Sequence, residues 1–415
     1  MKRYLYTLLC TLLLAVGCSK SDGDPTPPES QVAEQTLLMY FPWSGNLTSF
    51  FLTNIEDMKS VIAKGTPENC RVLVFLMQFG TGNEESGKLI GDLFELVEEQ
   101  GKVVQKYHKH YLEPAITTAE GIRTILRDVQ GIAPAKRYAM TIGSHGMAWL
   151  PAQPETSTLN VDPSYASEAS HAEYWEQTTP DGLPITRWFG GTSEQHRTDI
   201  STLAEAIAAA NIHFEYILFD DCYMSSIEVA YELRHVTDHL IASPNEIMAY
   251  GFPYAQCGRY MIGEPDYEGI CRTFYNFYLG YVDNYGVSRP YGTIAVTRCA
   301  ELEGLARVMQ QINAASKGVQ VDINTIQRMD GYHPQRFVDY GDYVRTLCSD
   351  EQLLTAFEVQ LERTVPSACR RHTPRFYTQN GTILIETFTG LTTSDPSTSE
   401  LCLSKDQTSW WKATH

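Results

Sequence analysis

The chain has 415 residues, 43% hydrophobic and 20% charged; this ordinary globular usage excludes wholesale disorder and supplies enough apolar side chain for a sizeable core. Lys and Arg number 32 against 50 Asp and Glu, a formal net charge of -18. That balance excludes nonspecific nucleic-acid binding, which needs a basic surface to displace counterions, and adhesion to anionic headgroups, while an acidic surface still attracts a basic substrate.

The first residues read as an export signal. Met1-Lys2-Arg3 is a positive start, and residues 4–16 form an apolar run too short to span a bilayer as a mature helix. The run ends Ala15-Val16-Gly17-Cys18, and small residues directly before a Cys resemble a bacterial lipobox. The resemblance implies a signal peptide over 1–17, cleavage before Cys18 and acylation of Cys18. That places the chain in the bacterial cell envelope, with the outer membrane as the expected site and the lipid as its only membrane contact. Residues 19–34 carry Ser, Asp, Gly, Pro and Glu with almost no large apolar side chain, so 18–35 reads as a flexible tether.

Eight further cysteines remain in the mature chain: Cys70, Cys222, Cys257, Cys271, Cys299, Cys348, Cys369 and Cys402. An even count outside the cytosol permits disulfides, yet the chain is too long to need a disulfide framework, and no CxxC pair suggests a metal knuckle.

Apolar runs at 36–41 and 71–79 predict buried strands, with a helix over 50–63 between them carrying Phe51, Ile55, Met58 and Ile62 at helical spacing. A third strand is expected over 88–97, on an edge. A helix follows at 118–129, then a strand at 137–143 that runs directly into Ser144-His145-Gly146. Residues 151–198 are rich in Pro, Ser, Thr, Gly and Glu and far longer than an ordinary loop, so they read as a surface insertion. Beyond it come a helix at 199–209 with Asp199 or Ser201 as N-cap, a strand at 215–219 ending in Asp220-Asp221-Cys222, a helix at 226–234, and short strands at 239–242 and 293–296. Strands alternating with helices predict an α/β fold around a mostly parallel sheet.

Reactive residues gather at two strand ends, where open α/β sheets bind ligands. If the strands ending before His145 and Cys222 are neighbours, the two side chains face one crevice. A Cys thiolate is a strong nucleophile, and a nearby His holds or takes its proton. The glycine at position 146 lets backbone approach closely, and its N–H with that of Cys222 makes a candidate oxyanion hole. A strand-end Cys is, however, commonly a small buried hydrophobe and a loop His commonly solvated.

The strand-Ser144-His145-Gly146-x-x-Trp149 element, followed by strand-Asp220-x-Cys222-x-Met224-Ser225-x-x-Glu228, resembles the clostripain family of cysteine peptidases, a branch of the caspase and gingipain superfamily. The segments 134–138, 242–246, 251–254, 337–343, 390–392 and 408–411 are similar to family elements as well, so the resemblance covers most of positions 36 to 412. It implies a caspase-like three-layer αβα sandwich: a peptidase domain over 36–300 with the insertion 151–198, and a C-terminal part, 301–415, packed on the same domain. It implies an endopeptidase that cleaves protein or peptide substrates through a Cys222–His145 dyad and a thioester acyl-enzyme. Gly146 and Cys222 N–H groups would hold the oxyanion. Asp220 aligns with an acidic residue of the primary specificity pocket, which implies cleavage after Arg, or Lys. Asp221 departs from the family pattern, which usually has a small residue there. Arg187 and Arg197 in the insertion are candidate self-cleavage points. No cofactor is implied, and without a DxDxDG-type loop no metal is assigned.

Other classes find less support. There is no GxSxG elbow, no HExxH, and no Walker loop or GxGxxG after a strand. The remaining rival is a non-catalytic surface lipoprotein that binds peptide or glycan through a degenerate caspase-like domain; intact His145 and Cys222 count against degeneracy.

Overall fold

Strands that bury both faces read as continuous apolar runs, and these runs form the centre of one sheet. A computed structural model describes residues 32–43, 45–80, 88–150, 189–191, 196–283, 285–378 and 380–415. The signal peptide, Cys18, nearly all of the expected tether, and 151–188 and 192–195 of the expected insertion lie outside them. Among the described residues a nine-stranded sheet is built from β1 (Ala33–Phe41), β2 (Cys70–Phe79), β3 (Leu89–Glu99), β4 (Lys102–Leu112), β5 (Ala135–Ile142), β6 (Phe214–Phe219), β7 (Thr237–Ala242), β8 (Thr293–Arg298) and β9 (Arg370–His372). Its spatial order is β9-β8-β7-β6-β5-β1-β2-β3-β4. From β7 through β2 the neighbours are parallel. Both margins are antiparallel, β2-β3-β4 on one side and β7-β8-β9 on the other.

Alternation along the strands feeds two cores. In β1, Leu38 and Tyr40 face one core, and Leu37, Met39 and Phe41 face the other. The first core is covered by α2 (Ala119–Ile132), α3 (Ile200–Ala210), α4 (Ile227–Leu233), α6 (Leu302–Ala315) and α7 (Glu351–Thr364). The second is covered by α1 (Thr48–Ile62) and α5 (Tyr267–Leu279). The result is the expected three-layer αβα sandwich.

Two expectations need correction in detail. The strand placed at 88–97 runs 89–99 and is not the edge; β4 is. β4 (KVVQKYHKHYL) exposes or half-exposes every residue, so it has no apolar run to announce it, and its lysines suit an unpaired margin. Asp199 occupies the N-cap position of α3, but its side chain makes no capping bond.

The distal part of the chain is fastened to this core by a buried ion pair. Lys405 Nζ lies 3.3 Å from Glu228 Oε1 on α4, with side chains 6% and 0% exposed. Lys405 also donates to Thr393 Oγ1 and to the Ser394 carbonyl, and Thr393 and Ser226 hydroxyls donate to Glu228. Removing one partner of such a pair costs about 3–5 kcal/mol, because the other charge stays buried.

Candidate active site

β5 and β6 lie side by side and parallel, so both end at the same edge of the sheet, and Asp220 N–H donates to the Ile142 carbonyl at 2.7 Å where they stop. The two expected elements, Ser144-His145-Gly146 and Asp220-Asp221-Cys222, therefore meet. Their backbones touch: a Cβ on Gly146 would stand 2.6 Å from the Cys222 carbonyl oxygen and 2.7 Å from Asp221 Cβ, so only glycine fits.

Cys222 is 9% exposed, and its Sγ accepts from the Ile247 N–H at 3.3 Å. The next residue, Tyr223, holds a left-handed φ of 63°, strained for a side chain of that size. Burial over-determines it. Its ring stacks on Phe337 at 5.1 Å, its hydroxyl donates to Glu246 at 2.6 Å, and its N–H donates to the Asn245 carbonyl.

His145 is buried, and its Nε2 lies 3.1 Å from Asn46 Oδ1. Trp43 Nε1, a donor only, meets the same oxygen at 3.3 Å. That oxygen is therefore the acceptor, Nε2 carries the proton, and in the neutral ring Nδ1 keeps the lone pair. Asn46 escaped sequence analysis because its partner stands 99 positions away and it reads there as a turn residue ahead of a helix. His196 is a second imidazole nearby, packed on Trp43 at 5.6 Å between ring centroids.

The two acids separate. Consecutive side chains after a strand face opposite sides of the sheet. Asp220 turns toward α5, where it is 7% exposed among Gly251, Phe252 and Tyr254. Its Oδ1 is buried without a hydrogen-bond partner. Burial pushes its pKa up to about 7, against the opposing pull of the Phe252 N–H and the Tyr254 hydroxyl. Gly251, at φ 76°, leaves this space open, since a Cβ there would lie 2.8 Å from both Asp220 oxygens. Asp221 turns the other way, into Ser144: its Oδ1 accepts from Ser144 N at 2.5 Å and its Oδ2 lies 2.9 Å from Ser144 Oγ. The departure at position 221 thus leaves the side facing Asp220 untouched.

The distal segments close around this turn. Ser225 Oγ donates to the Gly390 carbonyl, Thr392 N–H donates to the Ser225 carbonyl, and Trp149 Nε1 donates to Ser394 Oγ. Arg197 is half-buried in a short strand paired with Phe189–Gly190, which in turn pairs with His145–Gly146; Arg187 lies outside the described residues. None of the eight described cysteines is in a disulfide. Burial pushes the thiols of Cys70, Cys257, Cys271, Cys299, Cys369 and Cys402 up, Cys402 to about 11, which keeps them protonated and unreactive. Among the described residues no group of three or more His, Cys, Asp or Glu side chains is placed to hold a metal, and no helix is long and apolar enough to cross a membrane.

Comparison with known proteins supplies the family. The profile of the clostripain family, Peptidase C11, matches residues 169–366. A secreted C11 cysteine protease from Bacteroides thetaiotaomicron, "iotapain", is 48% identical, with a TM-score of 0.78 over 92% of this chain and 99% of that one. A clostripain from the same organism, in complex with the peptide inhibitor BTN-VLTK-AOMK, is 52% identical over 55% of this chain and 99% of its own, with a TM-score of 0.51. An inactive zymogen C11 protease from Parabacteroides distasonis is 25% identical, covering 95% of this chain and 100% of that one at a TM-score of 0.70. No curated protein matches. With a relative of nearly half-identical sequence matched over almost its whole length, the chain belongs to the clostripain family of cysteine proteases.

Proposed function

We propose that the protein is a cell-envelope endopeptidase that cleaves after Arg or Lys, with Cys222 as nucleophile and His145 as its acid–base partner. The observation that carries the specificity is the buried, unpartnered oxygen of Asp220 two residues before Cys222. A buried carboxylate left unpaired is costly, and an Arg side chain relieves it with two parallel hydrogen bonds, Lys with a point charge. The inhibitor bound by the 52% identical relative carries the peptide VLTK, which ends in lysine, and this supports a basic residue before the scissile bond.

In this reading the Cys222 thiol gives its proton to His145, and Sγ attacks the scissile carbonyl carbon. Gly146 and Cys222 N–H groups face the developing oxyanion. The imidazolium then protonates the departing amine, the C–N bond breaks and a thioester remains. Water, losing its proton to His145, attacks the thioester and frees the carboxylic acid and the thiol. Asn46 holds His145 in the tautomer with the proton on Nε2, so it is a positioning residue. An inactive zymogen among the relatives supports maturation of this chain from an inactive form, and Arg187 and Arg197, between the two elements, are the candidate self-cleavage points.

Export and anchoring rest on Ala15-Val16-Gly17-Cys18 at the end of the apolar run. The Cys18→Ser protein should leave the membrane fraction; retention there would contradict the lipid anchor. Asn46→Ala should lower kcat roughly tenfold or more at similar KM, a fraction of what a proton-transfer group contributes, and an effect under about twofold would show that the contact does not orient His145. Asp220→Asn should lower kcat/KM on Arg peptides by at least about tenfold while sparing small neutral side chains. In the wild type the preference for Arg over a neutral residue should grow as pH rises through about 7, because the carboxylate that attracts the cation forms there, and Asp220→Asn should flatten that dependence. Taking the ratio of the two substrates cancels titration of the shared dyad. Equal loss on all substrates would instead assign Asp220 to holding the turn.

A further inference from the structure

Asp221 is a fully buried acid that the mechanism above does not use. Its surroundings count hydrogens. Ser144 Oγ lies 2.9 Å from Asp221 Oδ2, 3.0 Å from the His145 carbonyl oxygen and 3.0 Å from the Gly190 N–H. A serine hydroxyl has one hydrogen and two lone pairs. The Gly190 N–H takes one lone pair. The His145 carbonyl only accepts, so that contact uses the hydroxyl hydrogen. The second lone pair then faces Asp221 Oδ2, which satisfies it only by donating. An ionised Asp221 would take the hydroxyl hydrogen for itself and leave the His145 carbonyl against an oxygen with nothing to give.

From the stated distances and this count, we propose that Asp221 is a neutral carboxylic acid that latches the His145 loop to the nucleophile turn. Oδ2–H donates to Ser144 Oγ, Ser144 Oγ–H donates to the His145 carbonyl, and Ser144 N–H donates back to Asp221 Oδ1. The inference rests on the reading of Cys222 and His145 as the dyad and makes Asp221 a positioning residue for it. The groups that face the acid agree. Burial pushes its pKa well up, the Ser144 contacts pull the other way, and the charged neighbour acting on it is Asp220, a like charge. Tyr254 is the remaining ionisable group that senses it, while His145 and Cys222 adjoin the latch in sequence. Of the two adjacent acids, a neutral Asp221 leaves Asp220 to carry the charge that meets a cationic substrate. The Gly190 N–H fills the other lone pair of Ser144 Oγ, where the strand Phe189–Gly190 sits against His145–Gly146.

Asparagine reproduces the hydrogen pattern of the neutral acid: its oxygen accepts from Ser144 N–H and its NH2 donates to Ser144 Oγ. On a basic peptide substrate, Asp221→Ala should lose roughly tenfold or more in kcat with KM little changed, and Asp221→Asn should recover activity to within about threefold of wild type. At a pH well above 7, where Asp220 is ionised, the wild type should show an infrared carbonyl band of a protonated carboxyl that Asp221→Asn lacks. An Asp221→Asn protein as weak as Asp221→Ala, beside an inactive Cys222→Ala protein, would overturn the latch alone. Full activity in Cys222→Ala would overturn the dyad and the latch's purpose with it. If Asp221→Ala does not fold, the Asn variant and the infrared band decide: a weak Asn variant or a missing band overturns the neutral acid.

Discussion

The parallel pairing of β5 with β6 is the constraint on which the rest depends. Parallel neighbours end at the same edge, so the pairing brings His145 and Cys222 together even though a long insertion separates them in sequence. The pleat then does the sorting. Asp220 falls on the face of α5 and Asp221 on the face of Ser144. Two adjacent buried acids would otherwise repel one another beside Cys222. Pointing them to opposite sides, one open toward Gly251 and the other locked to the His loop, lets each have its own charge state.

A turn holding a left-handed tyrosine does not stay in place by itself. The chain brings residues from far downstream to hold it: Phe337 stacks on Tyr223, Gly390 and Thr392 bond to Ser225, and Lys405 neutralises Glu228 behind it. These contacts explain why the similarity to the family extends into segments that carry no reactive group. They are the packing that fixes the two strand ends at a distance where backbone meets backbone.

The centre of the fold was legible because its strands are buried on both faces and therefore write continuous apolar runs, as in RVLVF and EYILF. The margins were not. β4 is half-exposed along its length and alternates nothing that a period detects. α5, α6 and α7 were not among the predicted elements, although α6 sets Leu302, Leu305, Ala306, Met309 and Ile312 at helical spacing. Within the site, His145, Gly146, Asp220 and Cys222 were legible as strand-end chemistry. Asn46 was not, because its role exists only through a contact across the fold. Asp221 was legible as a departure, but its direction was not: only the placement of Ser144 beside it shows which face it serves.

The account turns on Cys222 being the reactive thiol among eight, most of which burial holds protonated. Treating the full mature protein with a biotinylated peptidyl acyloxymethyl ketone that ends in Lys, then mapping the adduct by peptide mass spectrometry, asks this directly. The account predicts a single adduct on Cys222 that a His145→Ala substitution suppresses. An adduct on any other thiol, with Cys222 unmodified, would contradict it.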